Sequence, residues 1–277
     1  MKRIALLPLS LGLALGACGG GGDGKTACAP ASQPTATGTL PADLMDLSHW
    51  SLTLPVDANG AHSGTAATVT TAELTSGYSS EWFYGTQNGG VTFFAPIQGA
   101  TTKSTPYPRS ELRELLDPSD YSVNWSAHDT AAMAADLVVH QAPSANGKVT
   151  IGEIVGYNGA NPDVSVLTKL VYEFNADQCS AVLYTSTLDT PTSSGSTARR
   201  QVLPTSVPPG APFSYSIRVE SHEIRVTSGS AEVLETIGSA WDAEGLYFRA
   251  GAALFANGAS LTDGARVTFY QLQVTHD

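Results

Sequence analysis

The fold of this chain is indicated most clearly by residues 247–255, which read Tyr247-Phe248-Arg249-Ala250-Gly251-Ala252-Ala253-Leu254-Phe255. In an extended strand, successive side chains point to opposite faces. Every second residue from Phe248 to Leu254 is apolar, and these residues form one face suited to a protein core. The opposite face begins with Tyr247 and Arg249. This alternation is typical of a strand that has one face in the core of an all-β protein.

Comparable short runs recur along the chain and are bounded by Gly, Pro, Asn or Asp. They lie at residues 50–54, 91–94, 149–155, 167–174, 215–219, 224–227 and 267–274. Helical periodicity is confined to a short candidate at 70–76, and residues 129–139 are assigned to a strand despite their alanine content. Short strands with turn signals between them predict an all-β sandwich or jelly roll. No composition break divides residues 40–277, which we predict to form one domain.

Composition excludes one class of partner. The chain has 277 residues, of which 42% are hydrophobic and only 14% are charged, and its formal net charge is −11. The apolar content is sufficient for a core. Because the chain has no basic excess with which to neutralise phosphates, we predict that it binds no nucleic acid.

The N-terminus has the pattern of an exported lipoprotein. Lys2 and Arg3 precede an apolar run that is too short to span a bilayer. This run closes on the letters LGAC at residues 15–18, which resemble a bacterial lipobox. We predict a lipoprotein signal peptide at 1–17, with a membrane link only through a lipid on Cys18. An ordinary signal peptide cut nearby is the alternative, and both predict export to the outer membrane, the periplasm or the exterior.

Residues 18–39 are rich in Gly, Ala, Thr and Pro and show no periodicity, so we predict a flexible tether. If Cys18 is acylated, Cys28 and Cys179 are the two cysteines left to pair in an oxidising compartment. Their separation in sequence says nothing about geometry, so a disulfide and two free thiols both stay open.

Residues 107–115 carry an unusual row of charges for so weakly charged a chain. On a strand, one face presents Tyr107, Arg109, Glu111 and Arg113. Two guanidinium groups held in position by Glu111 suit bidentate capture of a carboxylate. A salt-bridged ladder on the surface is the structural alternative.

A second strand places a carboxylate among apolar residues. The residues predicted to share its face are Ile151, Glu153, Val155 and Tyr157. A lone glutamate in such a strand needs a partner or a ligand. Lys169, on a further strand, is a candidate cation for the same face.

Metal and cofactor signals are weak. The six histidines show no spacing typical of metal ligands. No strained serine elbow motif appears either. We predict neither a metal nor a cofactor.

Several of these segments resemble the alginate lyases of polysaccharide lyase family 7, the alginate lyase 2 group. Residues 109–114, Arg-Ser-Glu-Leu-Arg-Glu, reproduce the family's first signature, and residues 247–251 nearly reproduce its third. The resemblance extends from Leu47 to His276. It implies a β-jelly roll sandwich whose concave sheet binds an anionic polysaccharide. We also expect the protein to be a monomer.

The resemblance also implies a reaction, namely β-elimination beside a uronic acid in a 1,4-linked polyuronate such as alginate, polymannuronate included. Arg109 matches the family arginine that neutralises the substrate carboxylate. We therefore assign Arg109, Glu153 and Tyr157 to catalysis. The residues assigned to substrate binding are Tyr107, Glu111, Arg113, Lys169, Tyr247 and Arg249.

The chain departs from the family pattern at the acid–base positions. The triplet at 153–155 reads Glu-Ile-Val where the family has Gln-Ile-His, although some members also have Val at the third position. Ala253 and Phe255 stand where the family has Tyr and Gln. The substitutes on the predicted strand faces are Tyr157, Tyr107 and the glutamate of the triplet.

Two other functions stay open at this point. A glycoside hydrolase on the same scaffold would use Glu153 and Glu111 as paired carboxylates. A glycan-binding lipoprotein without catalytic activity would have kept the arginines and lost the base.

Overall fold

A computed structural model of the chain describes residues 28–29, 31–159, 165–191 and 197–277. Among these residues, no helix is both long and apolar enough to cross a membrane. The predicted signal peptide at 1–17 and the predicted lipidation site Cys18 lie outside the described residues.

The described chain is built almost entirely from short strands. In chain order they are β1 (Trp50–Thr53), β2 (Thr68–Val69), β3 (Phe83–Gly85), β4 (Val91–Pro96), β5 (Arg109–Glu114), β6 (Ala131–Gln141), β7 (Lys148–Tyr157), β8 (Ser165–Asn175), β9 (Ser180–Leu188), β10 (Ala198–Val207), β11 (Pro212–Glu220), β12 (Glu223–Ser228), β13 (Ala231–Thr236), β14 (Gly245–Leu254) and β15 (Gly264–His276). The helices are α1 (Pro41–Leu44), α2 (Thr71–Thr75) and a 3-10 helix (Ser239–Trp241). The predicted short helix at 70–76 is confirmed, since it contains α2. The predicted strand at 129–139 is also confirmed, since it overlaps β6.

The strands form two antiparallel sheets. The eight-stranded sheet has the order β10-β9-β8-β7-β14-β5-β1-β2, and the seven-stranded sheet has the order β13-β12-β11-β6-β15-β4-β3. Strands that are distant in sequence lie side by side, as in β6 beside β15 and β5 beside β14. This architecture confirms the predicted all-β jelly roll.

The hydrophobic core is continuous between the two sheets. On β14, the core face consists of the alternate residues predicted from sequence, from Phe248 to Leu254. Burial of a phenylalanine side chain such as Phe248 stabilises the fold by roughly 1.5–3 kcal/mol. Because β14 lies near the middle of the eight-stranded sheet, its opposite face presents Arg249 at the centre of that sheet.

The predicted face of β7 is wrong at one residue. Ile151 belongs to the hydrophobic core, whereas Glu153 points away from it. The pairing of β7 with β8 shifts register between Thr150 and Gly152, and such a β-bulge reorients the side chains that follow. Gly152 is required at this point, since a Cβ atom there would lie 2.7 Å from the Tyr215 hydroxyl.

The end of the predicted tether lies against the domain. Ala36 forms a β-bridge with Thr86, and the carbonyl oxygen of Ser32 lies 2.7 Å from Nδ1 of His140. These contacts attach residues 31–39 to the domain, because they supply hydrogen-bond partners that a free tether lacks.

Cys28 and Cys179 form a disulfide, with Cα atoms 5.3 Å apart. The bond joins the N-terminal segment to the turn between β8 and β9. Because it closes a long loop in the unfolded chain, it contributes roughly 2–5 kcal/mol to stability.

Candidate active site

Four charged residues lie side by side across the middle of the eight-stranded sheet. Arg113 of β5 pairs with Arg249 of β14, Arg249 pairs with Glu153 of β7, and Glu153 pairs with Lys169 of β8. The face of the sheet that carries these residues is opposite to the core, and we call it the charged face. The charged residues near the centre of this face are Arg109, Glu111, Arg113, Glu153, Lys169 and Arg249, while Lys148 of β7 and Glu173 of β8 form a separate ion pair farther along it.

Two arginines and two glutamates of the charged face form one ion-pair network. Arg109 Nη1 lies 2.7 Å from Glu111 Oε2 and 3.5 Å from Glu153 Oε1. Arg249 Nη1 lies 3.4 Å from Glu153 Oε1 and 3.8 Å from Glu111 Oε2. All four side chains are buried, Glu111 and Glu153 almost completely. Buried charges need this degree of pairing, since an unpaired one costs several kcal/mol.

Glu111 carries the most perturbed carboxyl group of the network. Burial raises the pKa of Glu111 to about 7, and the neighbouring charge of Glu153 adds to the increase against the opposing effect of Arg109 and Arg249. Near neutral pH, the network therefore exchanges a proton. Its charge is +1 when Glu111 is protonated and zero when Glu111 is ionised.

Two buried polar atoms of the network have no hydrogen-bond partner within the described part of the chain. They are Arg109 Nε, a donor, and Glu111 Oε1, which donates or accepts according to its protonation. A buried polar group without a partner costs about 1–3 kcal/mol. Such atoms are suited to a ligand that supplies the missing hydrogen bonds.

Tyr247, predicted to bind substrate, contacts two arginines of the charged face. Its side chain is buried, and its hydroxyl accepts a hydrogen bond from Arg249 Nη2 at 3.1 Å. Its ring lies under the guanidinium group of Arg113, 4.1 Å from ring centroid to Cζ. These contacts restrict the rotamers of both arginines.

Arg113 does not share Glu111 with Arg109, contrary to the sequence prediction. Its Nη2 donates to the carbonyl oxygen of Tyr121 at 3.0 Å, and its guanidinium group lies between the rings of Tyr121 and Tyr247. The second arginine of the network is Arg249, which the antiparallel register brings to the same two carboxylates. Arg113 therefore anchors the loop after β5.

Lys169 lies on the charged face, as the sequence predicted. Its Nζ is 5.2 Å from the centroid of the Phe255 ring, and its side chain is half-buried. Among the described residues, no carboxylate lies within salt-bridge distance of this ammonium group. Lys169 is therefore a cation at the edge of the network that a ligand can reach.

The structure does not bring the predicted tyrosines Tyr157 and Tyr107 to the network. Tyr157 is four residues beyond Glu153 on the same strand, a distance of roughly 13 Å at the rise of a β-strand. Tyr107 precedes the start of β5 and packs against the hydrophobic core. Pro108 explains why Tyr107 lies outside β5, because proline restricts the conformation of the residue before it and interrupts strand pairing.

The fold and the site together define the class of this protein: a β-jelly roll with a buried arginine–glutamate network on its larger sheet, suited to an anionic ligand. The family model described as alginate lyase matches residues 45–276. The chain therefore belongs to the alginate lyase family, whose members are polysaccharide lyases.

Individual relatives agree with this assignment. An alginate lyase from Klebsiella pneumoniae is 29% identical over 285 residues, covering 85% of this chain and 91% of that protein. The crystal structure of alginate lyase A1-II′, a member of polysaccharide lyase family 7, has a TM-score of 0.75 at 31% identity and covers 86% and 99% of the two chains. An alginate lyase from Pseudomonas aeruginosa gives 0.73 at 31% identity, with coverage of 84% and 100%. A variant of A1-II′ has also been solved in complex with substrate (GGMG).

Proposed function

We propose that this chain cleaves alginate by β-elimination and that the arginine–glutamate network is its catalytic centre. The observation that carries the assignment of the centre is the convergence of Arg109 and Arg249 on the same two carboxylates. Two guanidinium groups held in fixed positions can bind a uronate carboxylate through charge-assisted hydrogen bonds.

The first requirement of the reaction is neutralisation of the substrate carboxylate. The proton on the adjacent carbon is weakly acidic, and its removal places further negative charge on the carboxylate. When Glu111 is protonated, Arg109 and Arg249 exceed the negative charge of Glu153 by one. This excess stabilises the developing charge in a buried site, where electrostatic interactions are stronger than in water.

The second requirement is a base, which we assign to Glu153. Its carboxylate occupies the strand position at which the family has an amide, and both arginines hold it in place. Glu153 accepts the proton, a carbon–carbon double bond forms in the uronate ring, and the glycosidic carbon–oxygen bond breaks. Burial and the neighbouring carboxylate raise the pKa of Glu111, so Glu111 is the member of the pair that retains a proton.

The third requirement is a proton donor for the leaving oxygen, a role we assign to Lys169. It is the Cα partner of Glu153 on the neighbouring strand. Its half-buried ammonium group has a side open to a ligand, and lysine is an established general acid. The donor and the acceptor then lie on adjacent strands, so that one sugar unit contacts both.

The reaction is tested by incubating the purified protein with polymannuronate, polyguluronate and polyglucuronate. We expect ultraviolet absorbance from unsaturated uronate ends to rise with at least one of these polymers. New reducing ends without absorbance would establish hydrolysis by Glu111 and Glu153 instead. Retention of polymer without any product would establish binding alone.

We expect a pH dependence of substrate affinity that Glu111 controls. Because the pKa of Glu111 is raised to about 7 by burial, the network loses its net positive charge as the pH rises through that value. KM for the polyanion should increase by about tenfold from pH 6 to pH 8, as expected for the loss of one nearby charge. Steady-state kinetics across this range at fixed ionic strength provide the measurement.

The matched variant for this measurement is Glu111→Gln, which remains neutral at every pH and keeps the shape of the side chain. Its KM should stay at the low-pH value throughout the range. A KM that rises equally in the variant and the wild type would assign the pH dependence to another group.

The N-terminal pattern supports export and a lipid anchor on Cys18, which would hold the enzyme at a membrane facing its polymeric substrate. We expect Cys18→Ser to move the protein from the membrane fraction to the soluble fraction of cells that express it. Thr35→Ser, a conservative change at an exposed residue of the N-terminal segment, is the control and should leave the distribution unchanged. Recovery of the Cys18 variant in the membrane fraction would contradict the lipid anchor.

A further inference from the structure

Two histidines and an aspartate that are distant in sequence meet at one end of the sandwich, away from the charged face. His128 lies on the loop before β6, His222 on the turn between β11 and β12, and Asp242 directly after the 3-10 helix Ser239–Trp241. We call these three residues the histidine cluster. None of them has a role in the proposed elimination.

The side chains of the histidine cluster converge on a small volume. His222 Nε2 lies 2.6 Å from Asp242 Oδ1, and His128 Nε2 lies 3.9 Å from Asp242 Oδ2. One ligand atom from each residue can be chosen so that all three atoms lie within 4.8 Å of one another. The two imidazole rings are in edge contact, with centroids 4.2 Å apart.

Backbone hydrogen bonds fix the positions from which these side chains project. The His222 N–H donates to the Ala127 carbonyl at 3.1 Å, and the His222 carbonyl accepts from Ile237 N–H at 2.8 Å. His222 thus connects the loop that carries His128 to the segment that leads to Asp242. Trp241, which is fully buried, anchors the 3-10 helix just before Asp242.

We propose that the histidine cluster is a binding site for a zinc-like divalent transition-metal ion. Zinc binds imidazole nitrogen and carboxylate oxygen at about 2.0–2.2 Å, so the ligand atoms of a tetrahedral site lie about 3.3 Å apart. The distances of 2.6 Å and 3.9 Å bracket this value, and small rotations of His128 and Asp242 equalise them. Calcium and magnesium are disfavoured, since they select oxygen ligands.

Metal binding takes the place of the hydrogen bond between His222 Nε2 and Asp242 Oδ1, and it leaves a fourth coordination position for water. The ion would cross-link three turns, the last of which leads into β14, the strand that carries Arg249. The inferred role of the ion is therefore to stabilise this end of the sandwich.

The test is titration of the full mature chain, without a polyhistidine tag, with zinc chloride in a calorimeter. A Cys18→Ser background removes a competing thiol. We expect one zinc ion per chain and, at 100-fold excess of metal over Kd, an increase in Tm of roughly 5 °C or more. Magnesium chloride at the same concentration should produce neither effect.

His128→Ala is the informative variant, because its side chain is 63% exposed and, in packing, loses only the edge contact with the His222 ring. We expect a loss of zinc affinity of at least about 10-fold in this variant and in Asp242→Asn, since each change removes one of the three protein ligands. His62→Ala, which removes a histidine outside the cluster, should bind zinc like the wild type. Failure of the wild type to bind zinc, or equal affinity in all three variants, would overturn the proposal.

Discussion

Replacement of Arg109 by alanine is expected to lower kcat on alginate by roughly 10²- to 10³-fold, the usual cost of losing a donor that stabilises charge in the transition state. Arg109 Nη1 is the closest cationic partner of Glu111 in the network, at 2.7 Å, and it also contacts Glu153. Its removal leaves Arg249 alone to balance two buried carboxylates. With Glu111 protonated, the network then has no net positive charge with which to bind the substrate carboxylate.

Arg109→Lys is the matched variant, since it keeps the charge and removes the planar pair of donors. We expect its kcat to fall between those of the wild type and the alanine variant. Thermal unfolding of both variants separates a loss of catalysis from a loss of fold, because removal of one partner from a buried ion pair can cost about 3–5 kcal/mol. A folded alanine variant with wild-type kcat would remove Arg109 from the mechanism.

Replacement of Glu153 by glutamine should lower kcat by roughly 10²- to 10⁴-fold, as expected for the loss of a general base. The change keeps the shape of the side chain and restores the amide of the family triplet. Since one negative charge beside the substrate carboxylate disappears, KM should fall at the same time. Steady-state kinetics on alginate measure both quantities.

The opposite changes of kcat and KM distinguish a base from a structural residue, whose loss lowers kcat without improving affinity. Thr150→Ser is a useful control, because it makes a small change on the same strand without changing the network. An increase of kcat in Glu153→Gln would mean that the amide is the productive group and that Glu153 is not the base.

Much of the fold could be predicted because one face of each recognised strand is buried. The alternation around Phe248 and the turn residues between strands identified β14 and its neighbours. Strands such as β10 (Ala198–Val207) were not predicted, because β10 is an edge strand whose side chains are largely exposed and polar. The β-bulge at Gly152 inserts one residue into β7, and the alternation of apolar and polar residues in the sequence does not predict it.

The site was predictable in its residue types and only partly in its contacts. Strand parity placed Arg109, Glu111, Glu153 and Arg249 on one face, but the choice between Arg113 and Arg249 as the second arginine depends on register between strands. That register is set by pairing of segments more than a hundred residues apart.

The histidine cluster had no sequence signal at all. Each of its residues lies on a different turn, and spacing along the chain carries no information about turns that meet through the fold. His128 and His222 are brought together by the hydrogen bond between their neighbouring backbone segments.

The central claim is that the arginine–glutamate network performs elimination. The most direct measurement is mass spectrometry of the oligosaccharides that the wild-type enzyme and Arg109→Ala release from alginate. We predict that the wild type releases unsaturated products, each lighter by one water molecule than a hydrolytic product, and that the variant releases almost none. Saturated products from the wild type, or unsaturated products in equal yield from both proteins, would contradict the claim.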